Sequence, residues 1–420
     1  MITINNNMYV LDTDNTSYAF AVLGSGQLEH LYYGRKLHAN EAVMTEKHTF
    51  IPGNTNVYNK DYSSYSLEDV CLEMSSLGKG DIREPFIEVT YPNGSSTTDM
   101  VFDRAEIIQG KEEYDTLPGS YDDNGEVEQL VIYLKDRNYN LTLELHYYVY
   151  EKCDIITRSA KLVNSGNESV RLERLMSMQL DLNESDYELS FFNGAWAREM
   201  NRSRIPIRAG KYVNESVTGT SSNRANPFFM IGRSSTTEDY GECYGFNLIY
   251  SGNHYEAAQV NSYGKLRLVS GINPATFSYI IEAGKCFEAP EAVLTYSYKG
   301  YNRMSHNMHE FVRKHIVRGS WRDKERPVLI NSWEAAYFNI NERKLVKLVK
   351  AAKDTGVELF VMDDGWFGER NDDTSSLGDW TPNSRKLPNG IAGIADKIKE
   401  SGLKFGIWVE PEMVSVNSRL

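Results

Sequence analysis

The spacing of hydrophobic residues divides the chain into two parts. Up to about residue 300, short apolar segments rich in β-branched and aromatic residues are bounded by turn formers, and in Leu141–Tyr150 the leucines alternate with polar residues. A period of two predicts strands with one covered face. From Pro327 onward, three continuous apolar segments alternate with amphipathic helical patterns. That alternation predicts a parallel sheet that is buried on both faces.

These patterns predict three successive regions. Residues 1–300 form a large all-β sandwich, residues 301–325 form a helical linker, and residues 326–420 form the N-terminal part of a β/α barrel with its first three strands only. Two polar segments, 45–61 and 198–226, do not fit the strand pattern. Loops of that length usually serve a site or an interface, or are disordered, and all three alternatives stay open here.

Composition and short motifs argue against several classes of protein. The net charge of −13 disfavours binding to nucleic acid or to an anionic membrane surface, although it also serves solubility. We expect no signal peptide, because the first ten residues have no basic region and no long apolar core. We expect no membrane span, because no segment approaches about 18 consecutive apolar residues. Cys71, Cys153, Cys243 and Cys286 are scattered, which indicates reduced thiols in a cytoplasmic protein. No dinucleotide fingerprint, P-loop or metal-spaced Cys/His cluster occurs, so we expect no cofactor and no metal.

The ends of the three C-terminal apolar segments carry tryptophan and carboxylate residues. Trp333 follows the first segment, Asp363 and Asp364 follow the second, and Trp408 follows the third. In parallel α/β sheets, the carboxyl ends of the strands carry the chemistry. An indole ring covers the apolar face of a pyranose, and carboxylates accept hydrogen bonds from its hydroxyl groups. The pattern therefore indicates a sugar site.

The same residues also have purely structural interpretations. Asp363 and Asp364 could form a helix cap or a surface turn, and each tryptophan could pack in the core. Two carboxylates beside apolar residues are costly to bury, so they need partners among sugar hydroxyls, a metal ion, or arginine and lysine. A metal is the weaker alternative because no histidine lies near them in sequence. Glu410 and Glu412 flank Pro411, and either could be a ligand or a salt-bridge partner.

Five longer motifs lie in the C-terminal part of the chain. They are Asn331-Ser-Trp-Glu-Ala335, Asp363-Asp-Gly-Trp-Phe-Gly-Glu369, Gly378-Asp-Trp380, Arg385-Lys-Leu-Pro-Asn-Gly390 and Trp408-Val-Glu-Pro-Glu-Met-Val414. These motifs resemble those of α-galactosidases of glycoside hydrolase family 36, and looser similarity extends back to residue 157. The resemblance implies an N-terminal β-supersandwich, a short helical link, and a (β/α)8 TIM barrel. It also implies removal of terminal α-1,6-linked galactose from melibiose or raffinose with retention of configuration.

The resemblance assigns roles to individual residues. Asp363 and Asp364 would bind the galactose hydroxyls at C4 and C6, and Trp333 and Trp408 would line the galactose pocket. Trp196 lies in the sandwich, and in family tetramers the matching tryptophan reaches the site of a neighbouring subunit. The implied partners are therefore a galactoside oligosaccharide substrate and further copies of the full-length chain, with no cofactor.

The resemblance places the catalytic residues outside these 420 residues. The family's nucleophile is an aspartate on the fourth barrel strand, in a Lys-Trp-Asp type of motif, and its acid/base aspartate follows later. Neither motif occurs here, and a complete barrel needs about 250 residues. We therefore assign no catalytic residue, expect both beyond Leu420, and expect an inactive fragment of a longer gene product. The alternatives are a related α-N-acetylgalactosaminidase and a non-catalytic carbohydrate-binding protein.

Overall fold

The computed structural model describes residues 1–38, 56–63 and 66–420, which form two compact units, Met1–Arg318 and Gly319–Leu420. The elements of the first unit are β1 (Ile2–Asn5), β2 (Met8–Asp12), β3 (Thr16–Val22), β4 (Leu28–Arg35), β5 (Ile87–Thr90), β6 (Met100–Gln109), β7 (Glu128–Asp136), β8 (Leu141–Tyr150), β9 (Ile155–Asn164), β10 (Val170–Leu182), β11 (Glu188–Asn193), β12 (Asn201–Pro206), β13 (Gly210–Glu215), β14 (Ala225–Gly232), β15 (Cys243–Ile249), β16 (His254–Val260), β17 (Leu266–Ile272), β18 (Tyr279–Ile281), β19 (Cys286–Glu288), β20 (Glu291–Ser297) and α1 (Gly300–His315). Those of the second unit are β21 (Leu329–Asn331), α2 (Trp333–Ala336), α3 (Glu342–Asp354), β22 (Leu359–Met362), α4 (Gly390–Glu400) and β23 (Lys404–Ile407).

The strands of the first unit form antiparallel sheets. The longest sheet has the order β12-β11-β14-β15-β20-β9-β8-β7-β6, with β19 also paired to β9. A second sheet has the order β13-β16-β17-β10-β18, with β5 also paired to β10, and β1 to β4 form a meander. One large apolar core draws residues from all three sheets, among them Phe20, Leu145 and Leu268. This is the predicted sandwich.

Strand β8 shows how the hydrophobic pattern is used. Leu141, Leu143 and Leu145 are buried and the residues between them are half-buried, as the period of two predicts. Toward its end the strand is buried on both faces, because Tyr148 and Tyr150 pack with residues of α1. The helix predicted as a linker therefore covers the outer face of the longest sheet, and it belongs to the first unit.

A polar cluster lies inside the sandwich. The Glu73 carboxylate is fully buried and accepts hydrogen bonds from the hydroxyls of Tyr18 and Tyr147, both at 2.7 Å. His30 Nδ1 lies 2.7 Å from it, and Arg158 Nη1 lies 3.1 Å from it. Burial alone would raise the pKa of Glu73, but the Arg158 guanidinium and these hydrogen bonds lower it. The cluster therefore joins strands that are far apart in sequence, through the buried ion pair of Glu73 and Arg158.

The second unit has the parallel β/α order that the sequence predicts. Its sheet runs β21-β22-β23, with Asn331 opposite Val361 and Met362 opposite Ile407. Helix α3 begins after Asn341, whose side chain accepts from the backbone N–H of Lys344 at 3.0 Å. The helix ends before a glycine, Gly356, at φ 84°. A separate core fills this unit and includes Leu345, Val349, Phe360, Ile394 and Ile398. The arrangement is that of the first three strands of a barrel.

The predicted polar loops have different outcomes. Segment 45–61 lies largely outside the described residues. Segment 198–226 is not a continuous loop, because it contains β12, β13 and the start of β14. Most side chains of β12 and β13 are exposed and polar, so these strands lack the alternation of apolar and polar residues that predicts a strand. None of the helices in the described ranges combines the length and hydrophobicity that a bilayer-spanning segment needs.

All four cysteines are free thiols that form no disulfide. Cys71, Cys153 and Cys243 are buried, and Cys286 is exposed. Burial raises the pKa of Cys71 and Cys243 to about 12 and that of Cys153 to about 11. These three thiols therefore stay protonated at neutral pH.

Candidate functional site

The carboxyl ends of the three parallel strands are joined by two hydrogen bonds. After β22, the backbone N–H of Asp363 donates to Oγ of Ser332, which follows β21, at 3.0 Å. After β23, the N–H of Trp408 donates to the carbonyl oxygen of Met362 at 2.9 Å. Trp333, Asp363 and Trp408 therefore follow three adjacent strand ends at one edge of the sheet.

A tight turn holds the two aspartates. Gly365 has φ 97°, and a Cβ atom there would lie 2.9 Å from Cα of Phe338. Only glycine fits both this backbone conformation and this close approach. The N–H of Asp364 donates to Oδ1 of Asp363 at 2.7 Å, and the N–H of Gly365 donates to Oδ1 of Asp364 at 2.6 Å. Both carboxylates are thus folded back onto the turn.

Asp364 is paired with an arginine. Arg370 Nε donates to Oδ1 of Asp364 at 3.0 Å, and its Nη2 donates to Oδ2 at 2.8 Å. The two residues are 5% and 4% exposed, so little water screens the pair. A bidentate arginine–carboxylate pair in such surroundings fixes the geometry of both groups. Of the partners considered for the aspartates from the sequence, arginine is the one found for Asp364.

Asp363 is in a different situation. It is 9% exposed and forms no ion pair within the described residues. Burial raises the pKa of Asp363, the N–H of Asp364 opposes this, and the charge of Asp364 adds to it. In the described part of the chain, its Oδ2 has no hydrogen-bond partner. Asp363 thus offers a free acceptor oxygen on a largely buried side chain.

A lysine joins the backbone around the turn. Lys386 Nζ donates to the carbonyl oxygens of Phe338 at 2.9 Å, Gly365 at 2.8 Å and Arg370 at 2.7 Å. An ammonium group has three N–H donors, and all three are used here. Burial lowers the pKa of Lys386, and the Asp364 and Glu369 carboxylates oppose this.

Aromatic rings gather beside the turn. Trp366 is buried, and its Nε1–H donates to the carbonyl oxygen of Trp408 at 2.9 Å. The rings of Phe367 and Trp408 are stacked with centroids 6.4 Å apart, and Trp380 lies 4.6 Å from Phe367. Trp333 is half-buried and packs edge-to-face on Phe338 at 5.1 Å. Trp366 is therefore a core residue, whereas Trp333 and Trp408 keep partly exposed rings.

The remaining candidates have distinct positions. Trp196 lies in the first unit, in the turn between β11 and β12, and is 89% exposed. Glu410 is half-buried, and burial raises its pKa with help from the charge of Glu412, which is exposed. Within the described ranges, no group of three or more His, Cys, Asp or Glu side chains is arranged to hold a metal ion.

Two family models match this chain and together cover most of it. The model of the glycosyl hydrolase family 36 N-terminal domain matches residues 26–282, and the melibiase model matches residues 286–420. The chain belongs to glycoside hydrolase family 36. The resemblance noted from the motifs and the predicted fold class are both confirmed.

Relatives of this family 36 chain are α-galactosidases. It is 42% identical over 416 residues to α-galactosidase AgaA of Geobacillus stearothermophilus, a match that covers 98% of this chain and 56% of AgaA. A crystal structure of AgaA in complex with stachyose has a TM-score of 0.94 at 40% identity, covering 98% of this chain and 57% of that one. The α-galactosidase of Lactobacillus brevis also has a TM-score of 0.94 at 40% identity, with 99% and 57% covered. The chain thus spans little more than half the length of these relatives.

Sequence reasoning missed three polar residues of the candidate site. Ser332, Arg370 and Lys386 hold the turn that carries the aspartates. All three lie inside or next to the quoted motifs, and Arg370, six residues after Asp364, was an available signal of a cation near the paired carboxylates. Nothing in the spacing of Lys386, 21 residues after Gly365, indicates that it donates to three separate carbonyls.

Proposed function

We propose that the complete gene product is a retaining α-galactosidase. It releases terminal α-1,6-linked galactose from oligosaccharides such as melibiose, raffinose and stachyose. The observation that carries this proposal is the carboxylate of Asp363, 9% exposed and with one oxygen unbonded, at a strand end flanked by the partly exposed rings of Trp333 and Trp408. Solved structures of the relative AgaA with raffinose and with stachyose support the substrate class.

The roles of the residues follow from their chemistry. Asp363 accepts a hydrogen bond from a galactose hydroxyl, and the two indole rings cover apolar parts of the sugar. These residues position the substrate and contribute hydrogen bonds that strengthen in the transition state. Two further carboxylates, about 5–5.5 Å apart, act as nucleophile and acid/base in a retaining mechanism. Trp196 contacts the aglycone side of a neighbouring subunit's site in a homo-oligomer.

We also propose that this 420-residue chain does not complete the reaction by itself. No Lys-Trp-Asp motif occurs in it, and Asp363 and Asp364 bind or position sugar rather than attack it. Release of p-nitrophenol from p-nitrophenyl α-galactoside by this purified chain would contradict the proposal.

The test compares substrates and variants of the complete gene product. Galactose release from raffinose and melibiose is measured by chromatography, with p-nitrophenyl α-N-acetylgalactosaminide as the competing substrate. We expect the galactosides to be hydrolysed and Asp363→Asn to reduce the rate. Preference for the N-acetylated substrate would favour the related α-N-acetylgalactosaminidase. Sugar binding by residues 1–300 alone, together with sugar binding by the complete gene product that Asp363→Asn leaves unchanged, would favour a carbohydrate-binding protein.

A further inference from the structure

A polar cavity lies in the first unit. Its volume is about 250 Å³, near the lower end of the range for small-molecule sites. The turn between β2 and β3, the end of β20 and the first turns of α1 line it, and all of the lining residues described belong to the first unit. The cavity therefore offers a place for a ligand other than the strand ends of the second unit.

The buried carboxylate in the cavity wall already has its partners. Asp154 is 2% exposed. Its Oδ1 accepts from the Thr13 hydroxyl at 2.9 Å and from the Asn15 N–H at 2.8 Å. Its Oδ2 accepts from the Asn15 side-chain amide at 2.8 Å and from Arg303 Nη2 at 3.2 Å. Four donors, one of them a guanidinium, satisfy this carboxylate, so it does not require a cationic ligand.

Two exposed cations that line the cavity have unused donors. Lys299 forms no ion pair within the described ranges, and its Nζ lies 5.4 Å from the ring centroid of Tyr298. In the same part of the chain, Arg303 uses only Nη2 for Asp154, which leaves the N–H groups of Nε and Nη1. These donors are available to an anionic group in the cavity.

The charge around the cavity is positive, in contrast to the net charge of −13 for the whole chain. In the described ranges, three cations line it or contact its tyrosine rings, namely the two above and Arg35, which lies 4.1 Å from the Tyr298 ring centroid. Two carboxylates do so, Asp154 and Glu242, of which the second accepts from the Tyr296 hydroxyl at 2.8 Å. A local excess of positive charge in an acidic protein favours an anionic ligand.

A buried amide gives the cavity an acceptor. The Thr295 hydroxyl donates to the carbonyl oxygen of Asp154 at 2.8 Å, so its oxygen accepts from Nδ2 of Asn307 at 3.1 Å. These two bonds fix the orientation of the Asn307 amide. Asn307 lines the cavity and is 2% exposed, and its Oδ1 has no hydrogen-bond partner among the residues that the structure describes. A ligand that satisfies this oxygen must carry a donor such as a hydroxyl group.

We propose that this cavity binds a small hydroxylated phosphate monoester of the hexose phosphate type. The phosphate group contacts the Lys299 ammonium and the free N–H groups of Arg303, whose planar fork matches phosphate oxygens. A hydroxyl group of the ligand donates to Oδ1 of Asn307. A neutral sugar would leave both cations without a counter-charge. This site is additional to the galactoside site, and the proposal does not depend on the hydrolytic reaction.

Titration calorimetry on the complete gene product tests the ligand class. Glucose 6-phosphate is compared with glucose and with inorganic phosphate, in the presence of saturating galactose. We expect glucose 6-phosphate to bind with a dissociation constant below about 1 mM, and roughly 10-fold or more tightly than either comparison compound. Absence of binding would overturn the proposal. Equal affinity for glucose would refute the role of the cations, and equal affinity for inorganic phosphate would refute the hydroxyl contact with Asn307.

Two lysines of the same helix locate the site. Lys299→Met should weaken binding of glucose 6-phosphate roughly 10- to 150-fold, the value of one hydrogen bond to a charged group. Lys299→Arg, which keeps the charge, should retain most of the affinity. Lys314→Met is the matched control, because Lys314 pairs with Glu310 and does not line the cavity. Unchanged binding in Lys299→Met, or an equal loss in Lys314→Met, would overturn the proposal.

The dependence on salt provides a measurement without any substitution. Raising the ionic strength from about 0.01 M to about 0.15 M shortens the Debye length from about 30 Å to about 8 Å. The affinity for glucose 6-phosphate should fall, because both cations are exposed to solvent. An affinity that does not change with salt would contradict binding of the phosphate by Lys299 and Arg303.

Discussion

Replacing Asp363 by asparagine separates binding from stability. Asparagine keeps the shape of the side chain and can still accept from the N–H of Asp364, but it removes the charge that the free oxygen carries. A hydrogen bond to a charged group contributes about 1.5–3 kcal/mol. Losing that contribution corresponds to a reduction of roughly 10- to 150-fold in kcat/KM for α-galactosides.

The same substitution should stabilise the folded protein at neutral pH. Burial raises the pKa of Asp363, so its folded state binds a proton more tightly than the unfolded chain does. Protonated Asp363 contributes this stability in full below about pH 3.9, the pKa of an aspartate in the unfolded chain. The contribution is lost as the pH rises through the higher pKa that Asp363 has in the folded protein. Asp363→Asn should therefore melt at a higher temperature than the unmodified protein at pH 7, and the two melting temperatures should converge toward pH 4.

The assay combines steady-state kinetics with scanning calorimetry on the complete gene product. Asp396→Asn is a control, because that aspartate is exposed on α4 of the same unit. Unchanged kcat/KM in Asp363→Asn would refute the binding role. A lower melting temperature of Asp363→Asn at pH 7 would refute the argument that few favourable contacts offset the cost of burying the Asp363 charge.

Three further predictions concern other parts of the structure. Glu73→Gln should destabilise the first unit by about 3–5 kcal/mol, because it leaves Arg158 buried without its counter-charge. Urea unfolding measures the change, and Glu113→Gln, which breaks an exposed ion pair with Arg318, is the control. Gly365→Ala should reduce both stability and activity, the former by at least about 1 kcal/mol, because the added Cβ meets the Phe338 backbone; a fully active, equally stable variant would contradict this. Trp196→Ala should change the free energy of unfolding by less than about 0.5 kcal/mol, since the ring is exposed, yet raise KM for raffinose. An unchanged KM would show that Trp196 does not contact the substrate.

Much of the fold could be predicted because it depends on local periodicity. The alternation in β8 has the predicted structure, and the cap at Asn341 and the glycine after α3 are further short-range features that depend on a few neighbouring residues. The strand-end positions of Trp333, Asp363 and Trp408 follow for the same reason, since a parallel β/α pattern fixes which end of each strand meets its neighbours. The strands within 198–226 escaped prediction because their exposed positions carry no apolar pattern.

The sequence by itself determined the parallel sheet, the sandwich pattern and the residues that follow the strand ends, because these depend on spacings of a few residues. Only the tertiary structure decided how the two aspartates differ. Arg370 is six residues from Asp364 and Lys386 is 21 residues from Gly365, and both contacts form only after the intervening chain folds back. Adjacent carboxylates look alike in a sequence, whereas their hydrogen-bond partners are set by the packing of the whole unit.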